Sequence, residues 1–147
     1  MVLRIAPLPS WLASSPQTLC KHAVLIDVQR ATSTLVTAFA RGLAEARIFR
    51  DVEDVLTSER RNTEDVPLFG GERDFVKIAG FDLDNSPRAY TESVVRGRRL
   101  SFTSTNGARA LTELPSDCTV ALGSFLNLRA VCDFAAKHQD VLLLCSG

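Results

Sequence analysis

The chain has 147 residues, 46% hydrophobic and 23% charged, with 17 basic and 17 acidic side chains cancelling to zero formal charge. That length suits one domain with a sizeable core, and the charge balance leaves no footprint for nucleic acid or an acidic membrane surface. No apolar run approaches the roughly 20 residues that span a bilayer, and the proline-broken start, Met1 to Pro9, does not read as a signal peptide.

In chain order, Arg4 to Pro9 reads as an edge piece, and the Ser/Pro segment after Trp11 as a connecting loop. Ala23 to Ile26 is a short apolar run of the kind buried on both faces of a helix-covered sheet. Asp27 appears where that strand should end, Arg30 follows three residues later, and Thr32, Ser33 and Thr34 form a hydroxyl cluster. The apolar period then turns helical through Leu35, Val36, Phe39 and Leu43, with Gly42 as a stop signal. In open α/β sheets such a loop lies at the carboxyl edge, where ligands bind. A carboxylate, a guanidinium and hydroxyls there suit a metal and a phosphate or sulfonate. The plainer reading is a helix capped by Thr32 or Ser33, with Asp27 paired to Arg30.

Ala46 to Phe49 is a second strand candidate, and Asp51 reads as the cap of a helix carrying Val52, Val55 and Leu56 on one face. The charged run Ser58 to Asp65 reads as a solvated loop. Val66 to Phe69 is a third strand, expected to stop at Gly70-Gly71-Glu72-Arg73. There Gly71 allows the main chain to crowd a ligand, while Glu72 and Arg73 could hold a metal water and an oxyanion. A tight turn with a surface ion pair is the competing reading. Ser86 followed by Pro87 predicts a helix running to about Val95, with Asp82, Asp84 and Asn85 at its mouth. Arg99 to Thr103, Thr119 to Leu122 and Val141 to Leu144 read as further strands. Helices are expected from about Ala108 to Leu114 and from Val131 to Lys137.

Strands alternating with helices predict an α/β fold: three α/β/α layers around a largely parallel or mixed central sheet, in a single domain over 1–147. The loops after the strands should then meet on one edge, bringing together Asp27, Arg30, Ser33, Glu72, Arg73, Asn85, Ser86, Thr105 and Asn106. The four cysteines, Cys20, Cys118, Cys132 and Cys145, show no C-x-x-C spacing, so reduced thiols in a cytoplasmic protein are expected. The second acid of a D-x-D phosphatase is replaced by Gln29, no cysteine stands in a C-x5-R motif, and no G-x4-G-K-S/T loop is present.

The ordered motifs I-D-V-Q-R-A-T-S-T, G-G-E-R, G-F-D-L-D-N-S-P, T-S-T-N-G and S-F-L-N resemble the 2-phosphosulfolactate phosphatase family. That resemblance implies a magnesium-dependent phosphatase associated with coenzyme M biosynthesis, hydrolysing a phosphate ester of a small sulfonated or carboxylated acid. It implies Asp27 as the Mg2+ ligand, and Arg30 and Arg73 as clamps on phosphate or sulfonate. Glu72 would bind a metal water or act as a base, while Ser33, Gly71, Asn85, Ser86, Thr105 and Asn106 would contact or orient the substrate. Asp84 stands at a glycine of the family pattern, and Ser104 and Ala108 at threonines. Family members continue beyond the position of Gly147, so truncation at the C-terminus is expected, and a catalytically weak or inactive anion-binding domain is the alternative to an active phosphatase. The strand at Val141 to Leu144 would then be poorly covered and invite homo-oligomer formation.

Overall fold

The computed structural model describes residues 1–14, 21–59 and 66–147. Cys20 and most of the charged run ending at Asp65 lie outside the described residues. The chain begins with β1 (Val2–Ala6), α1 (Ser10–Ser14), β2 (His22–Ile26) and α2 (Ala31–Ala40). It continues with β3 (Glu45–Ile48), α3 (Val52–Glu59), β4 (Leu68–Arg73) and the short β5 (Val76–Lys77). Then come α4 (Glu92–Val95), β6 (Arg99–Thr103), α5 (Gly107–Thr112), β7 (Thr119–Gly123), α6 (Leu128–Ala136) and β8 (Asp140–Cys145).

The α/β class and the parallel strand direction agree with the pattern in the sequence. The single central sheet does not. The strands divide into two four-stranded sheets, ordered β1-β8-β2-β7 and β3-β6-β4-β5. The first is parallel throughout, and only β5 runs antiparallel in the second. Each sheet has its own core. In one, Leu35 and Ala38 of α2 pack with Leu68, Leu100 and Phe102; in the other, Ala110 of α5 and Leu114 pack with Leu25, Leu142 and Leu144. Leu122 packs against both cores, so α2 and α5 sit at the seam.

Three local expectations are corrected. Gly70 to Arg73 is not a turn that ends a strand but the second half of β4. The glycines allow close packing there: a Cβ on Gly70 would lie 2.4 Å from the Tyr90 hydroxyl, and one on Gly71 1.9 Å from the Thr103 carbonyl oxygen. Second, no helix starts at Pro87. A turn carries the chain to Tyr90, which is fully buried with its hydroxyl donating to the Asp84 carbonyl at 2.9 Å, and only then does α4 begin. Burial of that large ring outweighs the local Ser-Pro start signal. Third, β8 is not a poorly protected strand. It lies between β1 and β2, with Val141, Leu142 and Leu144 fully buried. The exposed apolar edge is β1 instead, through Val2, Leu3 and Ile5.

Candidate functional site

The loop after β2 is built around Thr32. Its side chain is fully buried, accepts from the Asp27 N–H at 3.1 Å and lies 2.7 Å from both the Asp27 and Gly123 carbonyl oxygens. This ties the end of β2 to the end of β7 and fixes the backbone of Asp27. Ser33 donates to the Val28 carbonyl at 2.8 Å, so it shapes the loop rather than facing a ligand. Arg30 occupies the cap position of α2 with no side-chain cap bond. Neither a hydroxyl cap nor an Asp27–Arg30 pair forms there among the described residues.

Asp27 is 9% exposed. Burial, then the nearby Glu72 carboxylate, pushes its carboxyl above the ordinary value of an aspartate; hydrogen bonds from the Ser146 hydroxyl and the Ala31 and Gly107 N–H groups act in the other direction. Glu72, 4% exposed, comes from the other sheet. It accepts from the Thr105 N–H at 2.7 Å, the Thr105 hydroxyl at 3.0 Å and the Phe75 N–H at 2.8 Å. A carboxylate has about four lone-pair sites. The three donors on Glu72 therefore leave it about one site for a ligand.

Around this pair a narrow cleft of about 10 Å³ is lined by Asp27, Gln29, Arg30, Glu72, Phe75, Asn85, Thr105 and Asn106. Asn85 is 3% exposed, and its Oδ1 is buried with no hydrogen-bond partner. A buried amide oxygen without a donor is costly unless something else meets it. Two carboxylates and an orphaned amide oxygen form an oxygen donor set of the type hard divalent cations take, completed by water and phosphate. Among the described residues there is no group of three or more His, Cys, Asp and Glu side chains that could hold a metal. The Arg30 guanidinium makes no hydrogen bond or ion pair with any described residue, which suits it to an incoming anion.

Six residues singled out from the sequence thus share one cleft: Asp27, Arg30, Glu72, Asn85, Thr105 and Asn106. Four others do not line it. Arg73 turns away, with Nη2 2.9 Å from the Thr103 hydroxyl, against the Arg50 carbonyl, and 3.6 Å from Asp51. Burial, then neighbouring Arg109, lowers its pKa. Gly71 is packed inside the sheet, and the Ser86 N–H donates to the Asp84 carboxylate at 3.0 Å. Ser33 serves the backbone as described. Sequence reasoning missed Phe75, Gly107 and Ser146. Ser146 follows a parallel strand just as Asp27 does, so the rule that found one could have found the other. Gly107 was readable only as a turn residue, yet a Cβ there would lie 2.5 Å from Asp27 Oδ2.

Parallel strands from two sheets thus gather acids, an arginine and amides at their carboxyl ends, the arrangement of an α/β protein with a cleft suited to a cation and an anion. Sequence comparison makes the class specific. The family model described as 2-phosphosulpholactate phosphatase matches residues 12–147, and the chain belongs to that family. Similar proteins named "Probable 2-phosphosulfolactate phosphatase" include one from Caldanaerobacter subterraneus subsp. tengcongensis, 40% identical over 86% of this chain and 53% of its own length. One from Thermotoga petrophila is 38% identical over 87% of this chain and 54% of its own, and one from Symbiobacterium thermophilum 42% over 85% and 54%. The chain spans about half the length of these curated relatives.

Proposed function

We propose that the cleft between Asp27 and Glu72 hydrolyses the phosphate ester of a small acid in the presence of Mg2+, with 2-phosphosulfolactate the substrate and 3-sulfolactate and phosphate the products. The observation that carries this reading is the convergence of two buried acids, the orphaned Asn85 oxygen and the unpaired Arg30 on one cleft. Family membership and the names of the relatives support it. The setting that goes with it is a cytoplasmic protein of coenzyme M biosynthesis, and among the described residues no helix is long and apolar enough to cross a membrane. The exposed apolar edge of β1 makes self-association part of the same proposal.

Asp27 would hold the cation, with Asn85 Oδ1 and Glu72 beside it. Bound there, Mg2+ neutralises charge on the ester oxygens. Arg30 binds the phosphate through its planar fork. Thr105 holds both oxygens of Glu72, which is thereby aimed to accept a proton from an attacking water. Asn106 presents an amide to the substrate from the same loop. Arg73 is a positioning residue, bracing Thr103 at the end of the strand from which that loop departs.

The experiment is a Mg2+ titration of phosphate release from 2-phosphosulfolactate and a panel of small phosphorylated acids. Asp27→Asn and Arg30→Ala run beside the native chain. Turnover that rises with Mg2+ and falls at least 100-fold in both variants is expected. Native turnover in both variants rejects the site. Ligand-dependent thermal stabilisation without turnover identifies an anion-binding domain instead.

A further inference from the structure

The turn that joins β4 to β5 carries a residue that turns of its kind avoid. Arg73 pairs with Val76 and Glu72 with Lys77, so Asp74 and Phe75 are the central residues of a two-residue hairpin. Their φ values, 50° and 66°, are both left-handed, as so tight a hairpin requires. Aspartate suits the first position, but the second favours glycine, and a bulky aromatic there is an outlier that strains the backbone. Burial does not compensate for that strain: Phe75 is 77% exposed and belongs to neither core. Nor does its ring contact another ring among the described residues. The fold alone gives no reason for this side chain, and strain of this sort gathers at functional sites.

The position of the ring supplies the reason. Of the eight described residues lining the cleft at the acid pair, seven are polar or charged and Phe75 alone is apolar. The turn is also bonded to the acid itself. The Phe75 N–H donates to Glu72 Oε2 at 2.8 Å, and the Asp74 N–H donates to the Thr105 hydroxyl at 2.9 Å. That hydroxyl donates in turn to the same Glu72 oxygen at 3.0 Å. The turn, and with it the attachment point of the ring, is therefore fixed relative to Glu72. A cleft of about 10 Å³ has room for little beyond an anionic head. Whatever the head carries must leave through the mouth, where Phe75 is the apolar surface it meets.

We infer that Phe75 is a specificity-determining residue whose ring is the platform for the carbon group of the ester, so that the site takes phosphate esters of aromatic alcohols in preference to methyl esters. This rests on the proposed hydrolytic site but concerns the uncharged part of the ligand and a residue the mechanism does not use. An exposed ring held in place offers an incoming ring an offset or edge-to-face contact, and apolar surface of both then leaves water. Phe75→Gly tests the ring alone, because glycine adopts the left-handed backbone freely and keeps the N–H that Glu72 accepts. Phe75→Asn is its control: asparagine also tolerates that backbone but lacks the main-chain freedom of glycine.

The test separates binding from turnover. Phenylphosphonate and methylphosphonate, which share one anionic head and differ only in the apolar group, are titrated calorimetrically into the full chain with Mg2+ present. The native chain is expected to prefer phenylphosphonate by about fivefold or more. Phe75→Gly and Phe75→Asn should both bring the two affinities within about twofold, while Phe75→Tyr keeps the native preference. In turnover, kcat/KM for phenyl phosphate relative to methyl phosphate should fall by about fivefold in Phe75→Gly, through KM. The better leaving group of the phenyl ester acts in native and variant chains alike and cancels from that comparison. Equal affinity of the native chain for the two phosphonates, no binding of either, or a native preference in Phe75→Gly overturns the inference. Loss in Phe75→Gly with none in Phe75→Asn also overturns it, since main-chain freedom and not the ring is then responsible. Selective binding without turnover of any ester rejects the hydrolytic proposal and leaves the Phe75 assignment intact; turnover of both esters without selectivity does the reverse.

Discussion

Gly107 is where stability and activity separate most cleanly. It is the first residue of α5, its N–H donates to the Asp27 carboxylate, and a Cβ on it would lie 2.5 Å from Asp27 Oδ2 and 2.8 Å from the Ala31 Cβ. Ordinary van der Waals contact begins near 3.4 Å, so Gly107→Ala must move the carboxylate or the helix start by about 0.9 Å. Overpacking of this kind costs about 1–3 kcal/mol. Alanine in place of glycine in a helix returns up to about 1 kcal/mol. The net loss should therefore be no more than about 3 kcal/mol, a fall in Tm of at most roughly 6–12 °C for a chain this size. Catalysis is far less tolerant, because a misplacement of about 1 Å costs on the order of 100-fold. Urea unfolding, Mg2+-induced stabilisation and phosphate release on Gly107→Ala should show a folded protein with kcat reduced about 100-fold and weaker Mg2+ stabilisation. If the variant keeps kcat and the Mg2+ response within twofold, the position of Asp27 is not what the site depends on.

Thr32→Val preserves shape but leaves the Asp27 N–H and two carbonyls without their buried hydroxyl. It should lower the unfolding free energy by about 2–3 kcal/mol, and a loss below about 0.5 kcal/mol in urea titration would refute the anchoring role. Phe75 sits at φ 66° while 77% exposed, so Phe75→Gly relieves left-handed strain and gives up little burial. The strain is worth about 1 kcal/mol or more and the added freedom of the unfolded glycine about 0.4–1 kcal/mol, so stability should hold or rise by up to about 1 kcal/mol; a loss above 1 kcal/mol contradicts this. Asp27 titrates above its unfolded value, so its ionised form is disfavoured in the metal-free fold. The resulting penalty is full above the folded pKa and disappears as pH falls to the unfolded value near 3.8. Relative to Asp27→Asn, which has no carboxyl to titrate there, the metal-free native chain should therefore gain stability as the pH is lowered from 7 toward 4. Parallel stability–pH curves for the two proteins would show that the Asp27 pKa is not raised.

What the sequence carried was the chemistry of the strand ends. The apolar run before Asp27 and the hydroxyls after it fix a strand, a polar loop and a helix, because parallel strands buried on both faces tolerate polar groups only where they emerge. The same reasoning at Glu72, Asn85, Thr105 and Asn106 placed residues that share the cleft with Asp27 and Arg30. It failed where a distant partner decides the local structure. Gly70 and Gly71 read as a turn until Tyr90 and Thr103 press against them. Ser86-Pro87 reads as a helix start until Tyr90 is drawn into the core. Arg73 reads as a clamp because the family resemblance implies it, yet adjacent residues on a strand point to opposite faces, and Arg73 goes to Thr103 and Asp51. That alternation was available in the sequence. What concealed it was the assignment of Gly70 to Arg73 to a turn, where no alternation applies.

Division into two sheets gives the site its geometry. In one continuous sheet, Asp27 at the end of β2 and Glu72 in β4 would be spaced by the strands between them along a single edge. Here β2 and β4 belong to different sheets, and α2 and α5 at the seam bring their ends together. The metal-free protein bears a cost for that proximity: two buried acids that repel, one pushed above its ordinary pKa, and an amide oxygen with no donor. Buried charges and amides are usually relieved by pairing with protein groups. In this cleft the N–H and hydroxyl donors are spent on orienting the two acids, and the one cation on its wall, Arg30, stays unpaired among the described residues. A divalent cation with a phosphate and the attacking water would meet all of these groups at once, Asp27 and Asn85 on the cation, Glu72 on the water and Arg30 on the phosphate. On that account occupancy by both ligands together should stabilise the fold more than the sum of either alone.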